Sequence, residues 1–256
     1  MLKRAEILSV GTELLMGQIV DTNAAWIAER LPEMGYAAQY RQTVGDNLER
    51  LTESIKLALS RAETVILIGG LGPTQDDLTR DGVAAALGVP LVFDPEIETH
   101  LRSEFKRRGL TWRETQLRQA YYPEGAEPLP NPNGTAPGLL IRKNEQIVLC
   151  LPGPPGELRP MFTKVAEKIR TPNAILTSRV LRICGMGENV VEHELADLME
   201  QVNPTLAPYA KTGEVHIRLA SSAPTKEQAE RELDTLEQTI RERLGSHVYG
   251  VNEETI

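Results

Sequence analysis

Val65-Ile66-Leu67-Ile68-Gly69-Gly70-Leu71-Gly72-Pro73-Thr74-Gln75-Asp76-Asp77-Leu78-Thr79 decides the fold. The first four residues form an unbroken apolar run rich in β-branched side chains, the pattern of a central parallel strand buried on both faces. The glycines after it let the backbone come close to a ligand and point N–H groups at it. Residues 79–87 then read as a short, Ala-rich helix whose N-terminal dipole favours phosphate. The loop has neither the Gly-Lys-Ser/Thr ending of a P-loop nor the glycine spacing of a dinucleotide-binding turn.

The same rhythm extends on both sides. Ile7-Leu8-Ser9-Val10 reads as a buried strand ending at Gly11. Residues 22–34 read as a helix capped by Asp21, Thr22 or Asn23, with Pro32 ending it early. Asp46 opens another helix, with Glu49 completing a capping box and Leu48, Leu51, Ile55 and Leu59 on one face. Asp94 and Pro95 supply the cap and first position of a further helix. Residues 139–142 and 146–151 predict a hairpin at the sheet's edge, and a helix runs from Pro155 to about Arg170. The sum is an α/β fold: a mostly parallel sheet with helices on both faces.

Thr171-Pro172-Asn173 is the linker candidate, dividing the chain into domains 1–170 and 171–256. Beyond it the pattern predicts a strand at 179–184, a helix at 188–201, strands at 205–210 and 214–220, a long helix at 225–244 and a strand at 247–250. Ala229, Leu233, Leu236, Ile240 and Leu244 form the long helix's apolar stripe. This split βαββαβ order describes a small α+β domain.

The bulk composition narrows the partners. With 256 residues, 41% of them hydrophobic, the chain builds real cores. Its net charge of -8 does not attract polyanions, so non-specific nucleic-acid binding is disfavoured. Cys150 and Cys184 sit in apolar runs and read as buried small hydrophobes. No apolar run approaches membrane-spanning length and no signal peptide is recognisable, so a cytoplasmic protein is expected.

Three glycine-bearing loops each follow a predicted strand, where parallel sheets bind ligands. The first spans Gly11, Thr12, Glu13, Asp21 and Asn23. The second is the Gly69–Thr79 segment. The third holds Gly153, Pro154 and Pro155, and Gly134 with Thr135 supplies a possible fourth wall. Any one such loop is more often a plain turn; three on one sheet point to a site. Asp76 and Asp77 would repel a phosphate unless a cation sits between them. This leads to a divalent ion with Asp77 and Glu13 as first-choice ligands. Against it stands the plainer reading, one Asp capping the helix and the other solvated. Asp21 likewise reads equally as a cap. The four histidines match no metal or triad spacing.

At these motifs the sequence resembles the CinA (competence/damage-inducible protein A) family. The matching segments are Ser9–Asn23, Gly69–Thr79, Gly134–Gly138 and Leu151–Glu157, in that order. The resemblance implies a molybdopterin-binding-like first domain, of the kind shared by MogA, MoaB and MoeA, with Asp77 and Thr79 placed as the catalytic Asp and the Thr after it. It implies metal-dependent hydrolysis of ADP-ribose to AMP and ribose 5-phosphate. Fuller members add a domain that deamidates nicotinamide mononucleotide; that activity is expected to be absent here. The family's second domain is KH-like, yet Gly185-Met186-Gly187-Glu188 lacks the second glycine of a nucleic-acid-binding GxxG loop. A structural or capping role is expected instead, with Lys211, Glu214, His216 and Arg218 placed to reach a neighbouring subunit's site in a homodimer.

The leading expectation is therefore an ADP-ribose pyrophosphatase. The loop Gly70, Leu71, Gly72, Pro73 and Thr74 holds the diphosphate through its backbone N–H groups, of which Pro73 has none, and Asp77 with Glu13 places Mg, Mn or Co on it, a monovalent cation accompanying. Asp21 or Asp76 serves as general base. A pterin-handling protein and a non-enzymatic competence adaptor are the alternatives.

Overall fold

The structure, a computed structural model, describes residues 2–171 and 175–254. The chain divides into two compact units. One is formed by Lys3–Leu31 and Tyr36–Arg170, the other by Pro32–Gly35 with the chain from Thr171 on. Thr171 is described; Pro172 and Asn173 of the expected linker lie outside the described residues.

The larger unit begins with β1 (Lys3–Val10), α1 (Thr12–Leu15) and α2 (Thr22–Arg30), followed by β2 (Tyr36–Val44), α3 (Leu48–Arg61) and β3 (Thr64–Ile68). Next come α4 (Thr79–Leu87), β4 (Leu91–Phe93), α5 (Pro95–Arg107), β5 (Tyr121–Pro123) and β6 (Ala126–Leu129). β7 (Gly138–Lys143), β8 (Gln146–Leu151) and α6 (Pro155–Ile169) complete it. Its sheet runs β2-β1-β3-β8-β7-β6. β2, β1, β3 and β8 are mutually parallel, and β7 and β6 are antiparallel additions. β3, central as its sequence demands, is buried at every residue.

Leu8, Val10, Val65 and Leu67 pack with Leu51, Ile55, Ala58 and Val83 of α3 and α4. Alternation sends Ile7 and Ser9 to the other face, which α2 and α6 cover; Trp26 and Phe162 join those helices edge to face at 5.6 Å. Cys150 belongs to the first of these cores, and burial pushes its thiol up to about 12. Cys184 is only partly buried, unlike its expected place in a core. It follows a strand's last residue, where the chain turns out at Gly185.

Two local expectations need correction and a third holds. α3 is capped by Asn47, whose side chain accepts from the Arg50 amide at 3.0 Å, so the helix starts beyond Asp46 and Leu48 is left exposed. Asp46 instead accepts from the Thr12 amide and hydroxyl at 2.9 and 2.7 Å. The β7–β8 hairpin lies inside the sheet rather than at its edge, because β8 pairs with β3 and β6 covers β7. The helix ending early at Arg30 agrees with the Pro32 signal, and Asp21 is its cap, accepting from the Ala24 amide at 2.9 Å.

The smaller unit holds β9 (Ile175–Ile183), α7 (Glu188–Glu194), α8 (Ala196–Met199), β10 (Thr205–Lys211), β11 (Glu214–Ala223), α9 (Lys226–Leu244) and β12 (Val248–Val251). The strands form an antiparallel sheet ordered β10-β11-β9-β12. The expected helix at 188–201 is broken in two near Leu195. The α9 stripe is buried in full, four of its five residues in a core with Leu181, Ile217 and Leu219. In this unit Glu214 accepts from the Tyr249 hydroxyl and lies 2.8 Å from His216 Nε2. Tyr249 first, then His216, hold its carboxyl below the usual range. Lys211 and Arg218 are exposed.

Candidate functional site

The loops after β1, β3 and β8 leave the C-terminal ends of three adjacent parallel strands. They enclose one cavity of about 620 Å³. Gly11, Glu13, Asp21 and Asn23 line it from the first loop. The whole run Gly69–Thr74, with Asp76 and Asp77, lines it from the second. Gly153, Pro154, Pro155 and Glu157 come from the third, and Thr135 from the segment before β7. Three expected residues stand behind the wall. Thr12 is tied to Asp46. Thr79 is fully buried, donating its hydroxyl to the Gly69 carbonyl at 2.7 Å. Gly134 donates its amide to Asn131 Oδ1 at 2.8 Å.

The second loop is built around its own acid. Gly69 and Gly70 take positive φ values of 96° and 65°, which turn the chain off β3 at a place where side chains strain the backbone. A Cβ on Gly70 would overlap the Thr79 hydroxyl, and one on Gly72 the Asp77 carboxylate. Asp77 accepts from the amides of Gly72 and Thr74, both at 2.8 Å, and from the Thr74 hydroxyl. Two of the N–H groups expected to hold a diphosphate are thus already engaged by this carboxylate.

Two arginines fix the loop from outside. Arg80, 3% exposed, donates to the carbonyls of Leu71 and Gly72, both at 2.6 Å. Burial lowers its pKa to about 10, so it stays charged at neutral pH. Arg118 donates to the Thr74 carbonyl at 2.5 Å and the Asp77 carbonyl at 3.4 Å.

Six carboxylates line the cavity: Glu13, Asp21, Asp46, Asp76, Asp77 and Glu157. Among the described residues no Lys, Arg or His lines it. Asp21 caps α2 and accepts from Ser9 Oγ at 2.5 Å, so both its oxygens are engaged. Asp76 is exposed. Glu157 accepts from Asn131 Nδ2 at 2.6 Å. Glu13 folds back beside Gly11. Among the described residues no group of three His, Cys, Asp or Glu is arranged to hold a metal ion.

Asp46, Gln119 and Glu157 were not expected in the wall. Glu157 ends the Leu151–Glu157 motif, where no role in a site was assigned to it. Asp46 carried the signal of a helix cap and spends it on the first loop. Gln119 lies in a 3₁₀ stretch, Glu114–Ala120, with no sequence signal.

A mixed, mostly parallel sheet with its cavity at the strand ends defines a molybdopterin-binding type of domain, and residues 6–171 match the family described as "Probable molybdopterin binding domain". Residues 178–250 match "Damage-inducible protein CinA KH domain". The chain belongs to the CinA family. It is 44% identical over 256 residues to a CinA-like protein of Dictyoglomus thermophilum, and 46% over 257 to one of Kosmotoga olearia. Each alignment covers 99% of this chain and 62% of the relative, so the chain spans about three fifths of their length. The crystal structure of the protein CinA from Thermoplasma acidophilum, titled as of unknown function, is 34% identical. It covers 66% of this chain and 98% of its own, with a TM-score of 0.61. Among the described residues no helix is long and apolar enough to cross a membrane.

Proposed function

We propose that this chain hydrolyses the pyrophosphate bond of ADP-ribose, with a divalent cation, to AMP and ribose 5-phosphate. The composition of the cavity carries the reading: six carboxylates and no basic side chain at the ends of three adjacent strands. A bare diphosphate is repelled by such a wall; a cation–diphosphate complex is not. The residues fit a cation of the magnesium kind, which takes one or two carboxylates and completes its shell with water and substrate phosphate oxygens. Asp77 and Glu13 would hold it. Asp77 has three hydrogen bonds, leaving one of about four lone-pair sites for this. When bound, the ion would neutralise charge on the phosphates.

The remaining roles belong to the chain. Water attacks one phosphorus, the bond from that phosphorus to the bridging oxygen breaks, and the oxygen leaves with the other phosphate. The attacking water gives its proton to a carboxylate. Asp21 is engaged on both oxygens, which leaves the exposed Asp76 as the freer of the two acids considered for this step. A pterin ligand is the second reading, supported by the family description of residues 6–171.

Turnover of ADP-ribose by the purified chain, with Mg²⁺, Mn²⁺ or Co²⁺ and with chelator, tests this. AMP and ribose 5-phosphate should form in equal amounts only when metal is present. No product with any metal removes the hydrolase reading, and tight retention of a phosphorylated pterin in its place favours the second.

A further inference from the structure

The wall of the cavity contains a side chain with nothing to do in the ligand-free protein. Gln119 is 1% exposed and lines the cavity, and its Oε1 is buried without a hydrogen-bond partner. A buried polar atom left unsatisfied is costly, and native proteins keep few of them. Asn23 Oδ1 is in the same position, also in the wall, but Asn23 is tied down through Nδ2, which donates to the Gly153 carbonyl at 2.6 Å. Thr64 Oγ1, the third such atom among the described residues, lies at the other end of β3, away from the cavity.

Gln119 differs from Asn23 in freedom: among the described residues its carboxamide has no hydrogen bond to break. Turning it toward the lumen costs little and regains a partner for the oxygen. Its backbone is held, because the preceding residue, Arg118, clamps the loop at Thr74 and Asp77. The backbone at Gln119 is thereby tied to the Thr74–Asp77 end of the loop, which lines the same cavity.

We propose that Gln119 is a specificity-determining residue that reads a ribose hydroxyl next to the diphosphate. This rests on the nucleotide reading of the cavity. The chemistry follows from the wall. Carboxylates accept hydrogen bonds and repel phosphate, so the neutral, hydroxyl-bearing part of a ligand is what they and a carboxamide suit. A hydroxyl both donates and accepts, matching the two ends of the Gln119 side chain. Because its neighbour Arg118 is bonded to Thr74 and Asp77, we set Gln119 against the sugar next to the diphosphate rather than against the base.

The test pairs a variant with ligand analogues. Gln119→Met keeps the volume and removes the polar atoms. Its melting temperature should equal or exceed that of the wild type, since an unsatisfied oxygen is lost. Titration calorimetry with ADP-ribose and Mg²⁺ should show about tenfold weaker binding, the scale of one hydrogen bond. With the analogue lacking the hydroxyl that Gln119 reads, variant and wild type should bind alike, so the two losses do not add. Equal affinity of both proteins for ADP-ribose overturns the assignment. So does a uniform loss across ADP-ribose and every deoxyribose analogue, which would point to the adenine edge or a general disturbance. A lower melting temperature would assign Gln119 a structural role instead. Gln119→Ala supplies the same comparison if the Met variant does not fold. Absence of ADP-ribose binding by the wild type, with or without Mg²⁺, would overturn the nucleotide reading itself.

Discussion

At the scale of single residues, the Gly69–Thr79 loop shows how a glycine can be required for two different reasons. Pro73 restricts Gly72 to extended or glycine-only conformations, which suggests that the missing side chain makes room for a ligand. The space beside Gly72 is filled by the Asp77 carboxylate, which plays the part of an anion within its own loop. Gly72→Ala should therefore dislodge Asp77 and leave the Gly72 and Thr74 amides without their acceptor. Stability should fall by about 1–3 kcal/mol, the cost of breaking hydrogen bonds to a charged group. Thermal melts and ADP-ribose titrations of the same variant check it: both should worsen together. A variant that keeps its melting temperature would mean that the carboxylate leaves the loop freely. The neighbouring Gly70 has positive φ and faces Thr79 directly, so its need for glycine comes from the turn itself.

At the scale of elements, one cap decides where α3 begins and what the first loop can do. Asn47 holds the helix, and Asp46, one residue earlier, is released to bind Thr12. Asn47→Ala should lower unfolding stability by about 1 kcal/mol. Asp46→Ala should leave the helix in place and loosen residues 12–20, seen as faster amide exchange there alone. Uniform loss of helical signal in the Asp46 variant would return the cap to Asp46. The elements legible in the sequence were those whose pattern is made by their own burial: β3, buried on both faces, and α9, with a complete stripe. β2 was not, because as an edge strand it is mostly exposed along its length, leaving Tyr36–Val44 without alternation. β6 is short and carries Pro128, a residue that speaks against a strand unless it lies at an edge, which is where the sheet puts it. Missing β6 is what moved the hairpin to the edge. Glu13, Asp21, Asp76 and Asp77 were visible because they stand in loops that follow apolar strands; Asp46 and Glu157 were not, because each reads as part of a helix start. Gln119 was invisible because an unsatisfied atom is a property of packing, which no local pattern records.

At the scale of the whole molecule, electrostatics and ligand choice pull in opposite directions. The chain carries a net charge of -8, and six of its carboxylates line the cavity with no compensating Lys, Arg or His in the lining among the described residues. Most anion sites work the other way, with basic residues whose attraction weakens as salt rises. Here, with chelator present, added salt should screen repulsion across a Debye length of about 10 Å at 0.1 M and strengthen ADP-ribose binding. With Mg²⁺ the diphosphate arrives partly neutralised, and the salt dependence should flatten or reverse. Because no three-residue metal cluster exists among the described residues, the ion should bind poorly alone and well only with substrate oxygens to complete its shell. Mn²⁺ titrations should then show at least about tenfold tighter binding in the presence of ADP-ribose, a coupling that runs equally in both directions. Equal Mn²⁺ affinity with and without nucleotide would mean that the ion and the diphosphate do not meet. An affinity for ADP-ribose that falls with salt in chelator would mean that the ligand is held by basic groups outside this cavity, and the six carboxylates would need another purpose.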